Sequence, residues 1–455
     1  MADAKVRPRQ GGGDPRGRPA RPRHPARPVR RRLAPHLGFR PDLPDVPTLF
    51  RVLLRAGRGE ERLLVVVDEF PELLPTTGAG IRRLLSSLRA VLEDESAAST
   101  VKLIVCGSSI AQMRALLTAR NPLHGRFTRL VVEPVGFGDA GAFFPGTSPV
   151  ELVERFSVSG GTPRYLSEMA GSTLRDRVVG RVLDRNGPLW DEARSVLANE
   201  LRQPATYFSI LEQLASGGKA VDEIARGARV DNGVVSRYLG TLGELGLVAR
   251  RLPIGAAPGA RSGQWWLADP FLRFWFRFVF PYHADLASGL PPDELWRRVV
   301  APAFADHVSP TFEDLCRRWV RIMVTDGPTR VGAWWGHALH GRRRSGERSS
   351  EEIDVVGVRG RRVLVAGECR WRNRPSGPGM LSDLLRYKLP ALAQAGLTPA
   401  SDVRIVMFSR AGFSSAAHRA AAAREGAVEL VDAARVVSDL ARLGQSDAYH
   451  CCGRQ

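Results

Sequence analysis

Two groups of residues in this sequence have types and spacings that could do chemistry. The first is Asp68-Glu69, directly after the apolar run Leu63–Val67. Such a run reads as a buried parallel strand, and open α/β sheets place their ligand crevice at the carboxyl ends of those strands. There an aspartate can hold magnesium through water, and an adjacent glutamate can polarise the water that attacks a γ-phosphate. The alternative is a strand end whose acidic residues cap the following helix. The second group is C-terminal. Asp354 lies on one predicted strand and Glu368 on the next, with Arg370 two residues on and so on the same strand face as Glu368. Hard carboxylates on neighbouring strands can hold magnesium against a scissile phosphate while a basic third residue orients the attacking water. Glu313, on the preceding predicted helix, could complete the ligand set. Arg370 stays protonated and can clamp phosphate but cannot act as a base, whereas Lys388, on the following helix, could reach the site in its place. The alternative is an internal ion pair of Asp354, Glu368 and Arg370.

The elements that would position these residues follow from periodicity. After the first apolar run comes a helix, IRRLLSSLRAVLED, then a second buried strand, VKLIVCGSS, a helix AQMRALL, and a third strand, RLVVEPV. Alternating strands and helices predict a doubly wound parallel sheet. Ser108 and Ser109 end the second strand beside the crevice of Asp68, where a small polar group could hydrogen-bond nucleotide or water. Residues 137–200 read as helical. TYFSILEQLASG, AVDEIARGA and NGVVSRYLGTLGELG then predict three short amphipathic helices, with two strands, LVARRLPIG and SGQWWLADP, behind them. That order is the pattern of a winged helix-turn-helix. Asn232, Ser236 and Arg237 would open its third helix and Arg250 would stand on the wing, places from which DNA could be touched. A protein-protein module is the competing reading. A helix SPTFEDLCRRWVRIM, strands EEIDVVGV and RVLVAGECRW, a helix MLSDLLRYKLPALAQAG and a strand VRIVMFS make a second, smaller α/β domain.

Composition sets bounds on partners. The chain has 455 residues and a formal charge of +19, of which residues 1–40 contribute +10. Those 40 residues are rich in Arg, Pro and Gly and lack apolar periodicity, so a tail is expected there. Lysine occurs only at positions 5, 102, 219 and 388, and a basic balance made almost wholly of arginine supports polyanion binding only weakly. Five cysteines form neither a disulfide framework nor a zinc spacing, and no stretch approaches the roughly 20 apolar residues of a membrane span. A cytoplasmic protein without a membrane partner is the expectation.

LLVVVDEF, LIVCGSS, NPLHGRFTRLVVEPVGF, GGTPRYL, the winged helix, FEDLCRRW, EIDVVG and GECRW, in that order, resemble the archaeal-type ATPases of the AAA-like, signal-transducing NTPase group. The resemblance covers residues 60 to about 435. It implies ATP and Mg2+ as ligands, Asp68 and Glu69 as the Walker B pair, Ser108 or Ser109 at the sensor position, and Arg126 as a γ-phosphate arginine. Asp354, Glu368 and Arg370 likewise resemble the site of a PD-(D/E)xK nuclease, with arginine where that family usually has lysine. The expected fold is therefore α/β: an N-terminally incomplete P-loop NTPase-like parallel sheet, a winged helix-turn-helix and a C-terminal restriction-endonuclease-like domain. The expected boundaries are a tail at 1–46, an ATPase core with a helical lid at 47–200, the winged helix at 201–282, a linker at 283–305, the nuclease-like domain at 306–440 and a tail at 441–455. G-x-x-x-x-G-K-S/T occurs nowhere in the sequence. A nucleotide-dependent regulatory protein associated with DNA, with homo-oligomers or a protein partner possible and hydrolysis doubtful, is the first expectation; a Mg-dependent nuclease or DNA-binding module acting without ATP is the second, and a non-catalytic remnant the third.

Overall fold

The computed structural model describes residues 42–57, 62–107, 109–201, 204–324, 329–339, 350–424 and 426–447. Residues 1–41 of the tail expected at 1–46, Ser108 and residues 448–455 of the tail expected at 441–455 lie outside these. The chain divides into two compact units, residues 1–132 and 133–455.

In the first unit, helix α1 (Val46–Ala56) starts where Asp45 accepts the Thr48 N–H at 2.8 Å, satisfying one of the amides a helix start leaves unpaired. Strands β1 (Leu64–Val67) and β2 (Lys102–Val105) pair in parallel with Leu64 opposite Lys102. Between them runs helix α2 (Gly78–Glu95), capped by Thr77, which turns Leu85, Leu88 and Val91 onto Phe50, Leu54 and Phe70. A short helix α3 (Ile110–Leu116) follows β2. The other face of the strand pair is open, with Leu64 58%, Val66 51% and Ile104 38% exposed.

The expected third strand does not form. Leu130, Val131 and Val132 are exposed, and the Val135 N–H donates to the carbonyl of Gly161. An apolar run becomes a strand only when a neighbour offers its hydrogen-bonding groups, and RLVVEPV has no ladder partner among the described residues.

The second unit has a core that runs without a break from Phe137 to Leu440. Residues 137–200, expected as a lid on the ATPase core, share the core of the C-terminal elements. Helix α4 (Pro149–Ser159) ends at Gly160, whose φ of 60° and ψ of −152° lie in a region that only glycine enters cheaply. This is the first glycine of GGTPRYL. Helices α5 (Pro204–Leu214), α6 (Val221–Ala228) and α7 (Asn232–Glu244) lead to an antiparallel hairpin of β3 (Val248–Arg251) and β4 (Gln264–Leu267). Helix α8 (Pro270–Phe278) is buried almost throughout.

Residues 283–305, expected as a linker, are helical and packed: Leu286, Leu295 and Val300 are buried. Three prolines of this stretch sit at helix starts, Pro291 as a cap and Pro292 and Pro302 in first turns, where no amide hydrogen is needed. Helix α9 (Ala301–Met323) packs across a five-stranded sheet of order β5-β6-β7-β8-β9, made of Arg330–His337, Ser350–Arg359, Arg362–Arg370, Thr398–Ser409 and Val428–Asp432. The first three strands are antiparallel and the last two join in parallel. A helical run, Gly379–Asp383, Leu384–Lys388 and Leu389–Gln394, connects β7 to β8. Helix α10 (Ser415–Ala422) precedes β9, and helix α11 (Ala433–Asp447) follows it. Gly367 is required where β7 meets β8, because a Cβ there would stand 2.3 Å from the Val406 carbonyl oxygen.

Candidate functional site

In the first unit, pairing of the strand ends brings Asp68 to Cys106. Cys106 N–H donates to the Val67 carbonyl at 3.0 Å, and its thiol donates to Asp68 Oδ1 at 3.3 Å. Burial first, and then the hydrogen bond to Asp68, raise the Cys106 thiol above its ordinary pKa. Asp68 Oδ1 also accepts the Glu69 N–H at 3.1 Å, and Glu69 sits in the left-handed region with φ 51°. For a non-glycine residue that conformation costs roughly 1–3 kcal/mol, and it turns the backbone sharply at the strand end. Ser109 caps α3, its hydroxyl accepting the Gln112 N–H at 3.4 Å. Arg126 is ion-paired with Glu93 of α2, which also takes Arg89. Arg126 is thus engaged with α2.

In the three-helix segment, Val235, Leu239 and Leu242 turn α7 into the core and leave Asn232, Ser236 and Arg237 exposed on its outer face. Arg250 is exposed on β3 and donates to the Ala260 carbonyl across the hairpin at 2.5 Å.

The C-terminal group converges. Val355 pairs with Gly367, so the next step along the ladder sets Asp354 beside Glu368. Asp354 is half-buried and its Oδ2 accepts the Cys369 N–H at 2.8 Å, which fixes the carboxylate toward β7. Glu368 is fully buried. Lys388 donates to its Oε2 at 2.5 Å, and Arg370 Nη2 stands 3.8 Å from the same oxygen. Between the two basic candidates, the half-buried Lys388 makes the contact and the more exposed Arg370 stays at the rim. Glu368 Oε1 is buried with no hydrogen-bond partner.

Glu313 reaches the same sheet from α9, accepting from Ser309 Oγ at 3.2 Å. Burial, and then the charge of Asp354, push Glu313 up to about 8; the same two causes push Glu368 up to about 8, against the opposing charge of Lys388. Glu313 and Glu368 thus each feel the Asp354 charge through a poorly solvated site. Among the described residues no three His, Cys, Asp or Glu side chains converge as a ready ligand cage. Magnesium is commonly held by one or two carboxylates together with water and substrate phosphate, so Asp354 and Glu368 with its unpartnered Oε1 fit that ion.

Three residues around this group carried weight that their motif did not announce. Asp314 and Arg317 on α9 and Arg251 on β3 form a linked ion-pair set. Arg317 lies four positions after Glu313 and three after Asp314, a helical pairing visible in FEDLCRRW. Trp334 and Trp371 are buried as packing residues, and the Trp335 indole donates to the Ser262 carbonyl at 2.9 Å.

No helix of the described residues is long and apolar enough to cross a membrane. Residues 275–380 match the family DUF234, described as archaea bacterial proteins of unknown function. The chain is similar to the uncharacterized protein MJECL04 of Methanocaldococcus jannaschii, at 29% identity over 304 residues, 65% of this chain and 64% of that one. It therefore spans less than two thirds of that relative's length. Among solved structures it is similar to the Walker-type ATPase PABY2304 of Pyrococcus abyssi, with 19% identity and a TM-score of 0.41 over 55% of this chain and 76% of the other. It is also similar to the Aeropyrum pernix ORC1 protein solved in complex with DNA, with 18% identity and a TM-score of 0.23 over 57% and 78% of the two chains.

Proposed function

We propose that this chain is a nucleic-acid-associated regulatory protein organised like the archaeal-type ATPases, whose magnesium-dependent phosphodiester chemistry resides in a nuclease-like C-terminal domain. The observation that carries this reading is the convergence of Asp354, Glu368 and Lys388, with an unpartnered Glu368 oxygen, on a helix-strand-strand-strand-helix-strand frame. Asp354 and Glu368 would hold the ion. When bound, it would polarise the phosphate and lower the pKa of a water. Lys388 would give charge and hydrogen bonds to that water, Arg370 at the rim would clamp a neighbouring phosphate, and Glu313 would complete the acidic wall. The segment α5–α7 with its hairpin is read as a winged helix that meets the nucleic-acid backbone through Asn232, Ser236, Arg237 and Arg250. Incubation of the full chain with supercoiled plasmid and Mg2+ or Mn2+ tests this. Nicking by the wild type and its loss in Asp354→Ala is the expected result; no nicking, or nicking unchanged in Asp354→Ala, refutes the reading.

A second reading concerns the first unit and rests on Asp68, set at the carboxyl end of β1 beside Cys106 at the end of β2. That is the position of a Walker B aspartate, and the unit would contribute the magnesium side of an ATP site. The sequence lacks the lysine and glycine amides that hold the β- and γ-phosphates, each charge-assisted bond being worth roughly 1.5–3 kcal/mol, so weak binding without turnover is expected. Calorimetry with Mg-ATP should give millimolar-range heat that disappears in Asp68→Ala. Equal heat in both proteins, or none in either, removes ATP from the account.

A further inference from the structure

The hairpin β3–β4 is bound to the C-terminal domain by contacts more specific than packing. Arg251 on β3 makes a two-pronged pair with Asp314 of α9, Nη1 to Oδ1 at 3.0 Å and Nη2 to Oδ2 at 2.9 Å. Its guanidinium also lies over the ring of Trp266 on β4, 4.8 Å from the centroid. Just past β3, the Ile254 N–H donates to the Ala333 carbonyl of β5 at 2.9 Å, and Trp335 of β5 reaches back to Ser262. The hairpin is thereby held at both ends of its loop.

Asp314 passes the restraint on. Its Oδ1 is shared by Arg251 and by Arg317 Nη2, the latter at 2.8 Å. The other prong of Arg317 donates to the backbone carbonyl of Asp354 at 2.7 Å, and Nη2 stands 3.8 Å from Glu313 Oε2. Arg317 is buried, so this fork cannot trade its protein partners for water without cost. It is a single side chain that touches both the backbone of one candidate ligand and the carboxylate of another.

Resting on the reading of Asp354 and Glu368 as magnesium ligands, we propose that Arg251 is a positioning residue for that site, fixing Asp354 and Glu313 through Asp314 and Arg317. The hairpin then belongs to the metal site's supporting frame as well as to the nucleic-acid face. Residues that orient metal ligands from one layer out typically change metal affinity by 10–100-fold when removed, although they never touch the ion. A two-pronged arginine is required because a lysine can reach only one Asp314 oxygen at a time.

The test is calorimetric titration of the full chain with MnCl2, without nucleic acid. Wild type and the control Arg404→Ala, an exposed arginine of β8 paired with Glu429, should bind Mn2+ alike. Arg251→Ala should bind about tenfold more weakly, with millimolar guanidinium restoring part of the loss, and Arg251→Lys should fall between the two. Should Arg251→Ala not fold, Arg251→Lys and Asp314→Asn carry the comparison, each expected weaker than wild type. Mn2+ binding in the folded Arg251 and Asp314 variants equal to wild type overturns the inference while leaving the site intact. A wild-type chain that binds no Mn2+ overturns the site and the inference together.

Discussion

Glu368→Gln is expected to abolish metal-dependent cleavage while making the fold more stable at mildly alkaline pH. Glutamine keeps the shape of the side chain and can still accept from Lys388, yet it cannot neutralise a divalent cation, so a loss on the order of 100-fold or more in plasmid nicking should follow. The gain in stability follows from linkage. Glu368 and Glu313 are both pushed up to about 8 in the folded chain, while an unfolded chain releases those protons near the ordinary glutamate value. Between those limits the folded state binds more protons than the unfolded one, so stability falls as pH rises toward 8. Above that window the cost is fully present. Each unit of raised pKa corresponds to about 1.4 kcal/mol, and Glu368→Gln should recover on the order of 1–3 kcal/mol at pH 8 and nothing below pH 4. Denaturant melts at pH 5, 7 and 8.5, with and without Mg2+, decide it. Wild type should lose stability across the series and regain it with Mg2+; the variant should lose less, because only Glu313 remains raised, and Mg2+ should restore little of it. A variant less stable than wild type at pH 8.5, or one that nicks plasmid as well, refutes the assignment of a buried, charge-starved ligand.

That site was legible in the sequence to an uneven degree. The alternation in EEIDVVGV and RVLVAGECRW, with the turn at Gly360, fixed which residues share a strand face, and the structure sets Asp354 and Glu368 side by side as that period requires. Lys388 could be named as an alternative to Arg370 but not chosen over it. The choice depends on burial: Lys388 lies in a helical run that delivers its ammonium to Glu368, whereas Arg370 is 40% exposed at the strand end. Strand β5, RVGAWWGH, is not among the strands expected from the sequence, its apolar run being interrupted by two glycines. Its pairing is made with β6, the next strand along the chain. RLVVEPV erred in the opposite direction, having the apolar content of a strand and no ladder to join. The link of Arg251 to the Asp314–Arg317 pair could not be read from spacing. Arg251 and Asp314 are 63 residues apart, and only folding makes their charges a pair.

The expected boundary at residue 200 and the division of the chain at residues 132 and 133 differ, and one side chain tests which holds. Trp275 is fully buried at the centre of α8, and its indole N–H donates at 2.8 Å to the carbonyl of Trp190, in the segment once assigned to the N-terminal lid. Around it stand Phe276, Phe280 and His283, so its removal would empty the middle of an aromatic cluster. Trp275→Ala should cost about 3–5 kcal/mol, the range for deleting a large aromatic from a core that cannot collapse around the gap. Trp275→Phe fills most of the space but strands the Trp190 carbonyl, and should cost about 1–3 kcal/mol. Where the damage appears matters more than its size. If residues 133–200 share one core with the C-terminal domain, the alanine variant should make peptides on both sides of residue 200 protease-sensitive in the same step, while β1 and β2 keep their protection. If those residues were a lid on the first unit, protection of 133–200 would be lost together with β1 and β2. Limited proteolysis read by mass spectrometry separates the two results, and loss of protection in β1 and β2 would restore the boundary at residue 200 that the sequence first suggested.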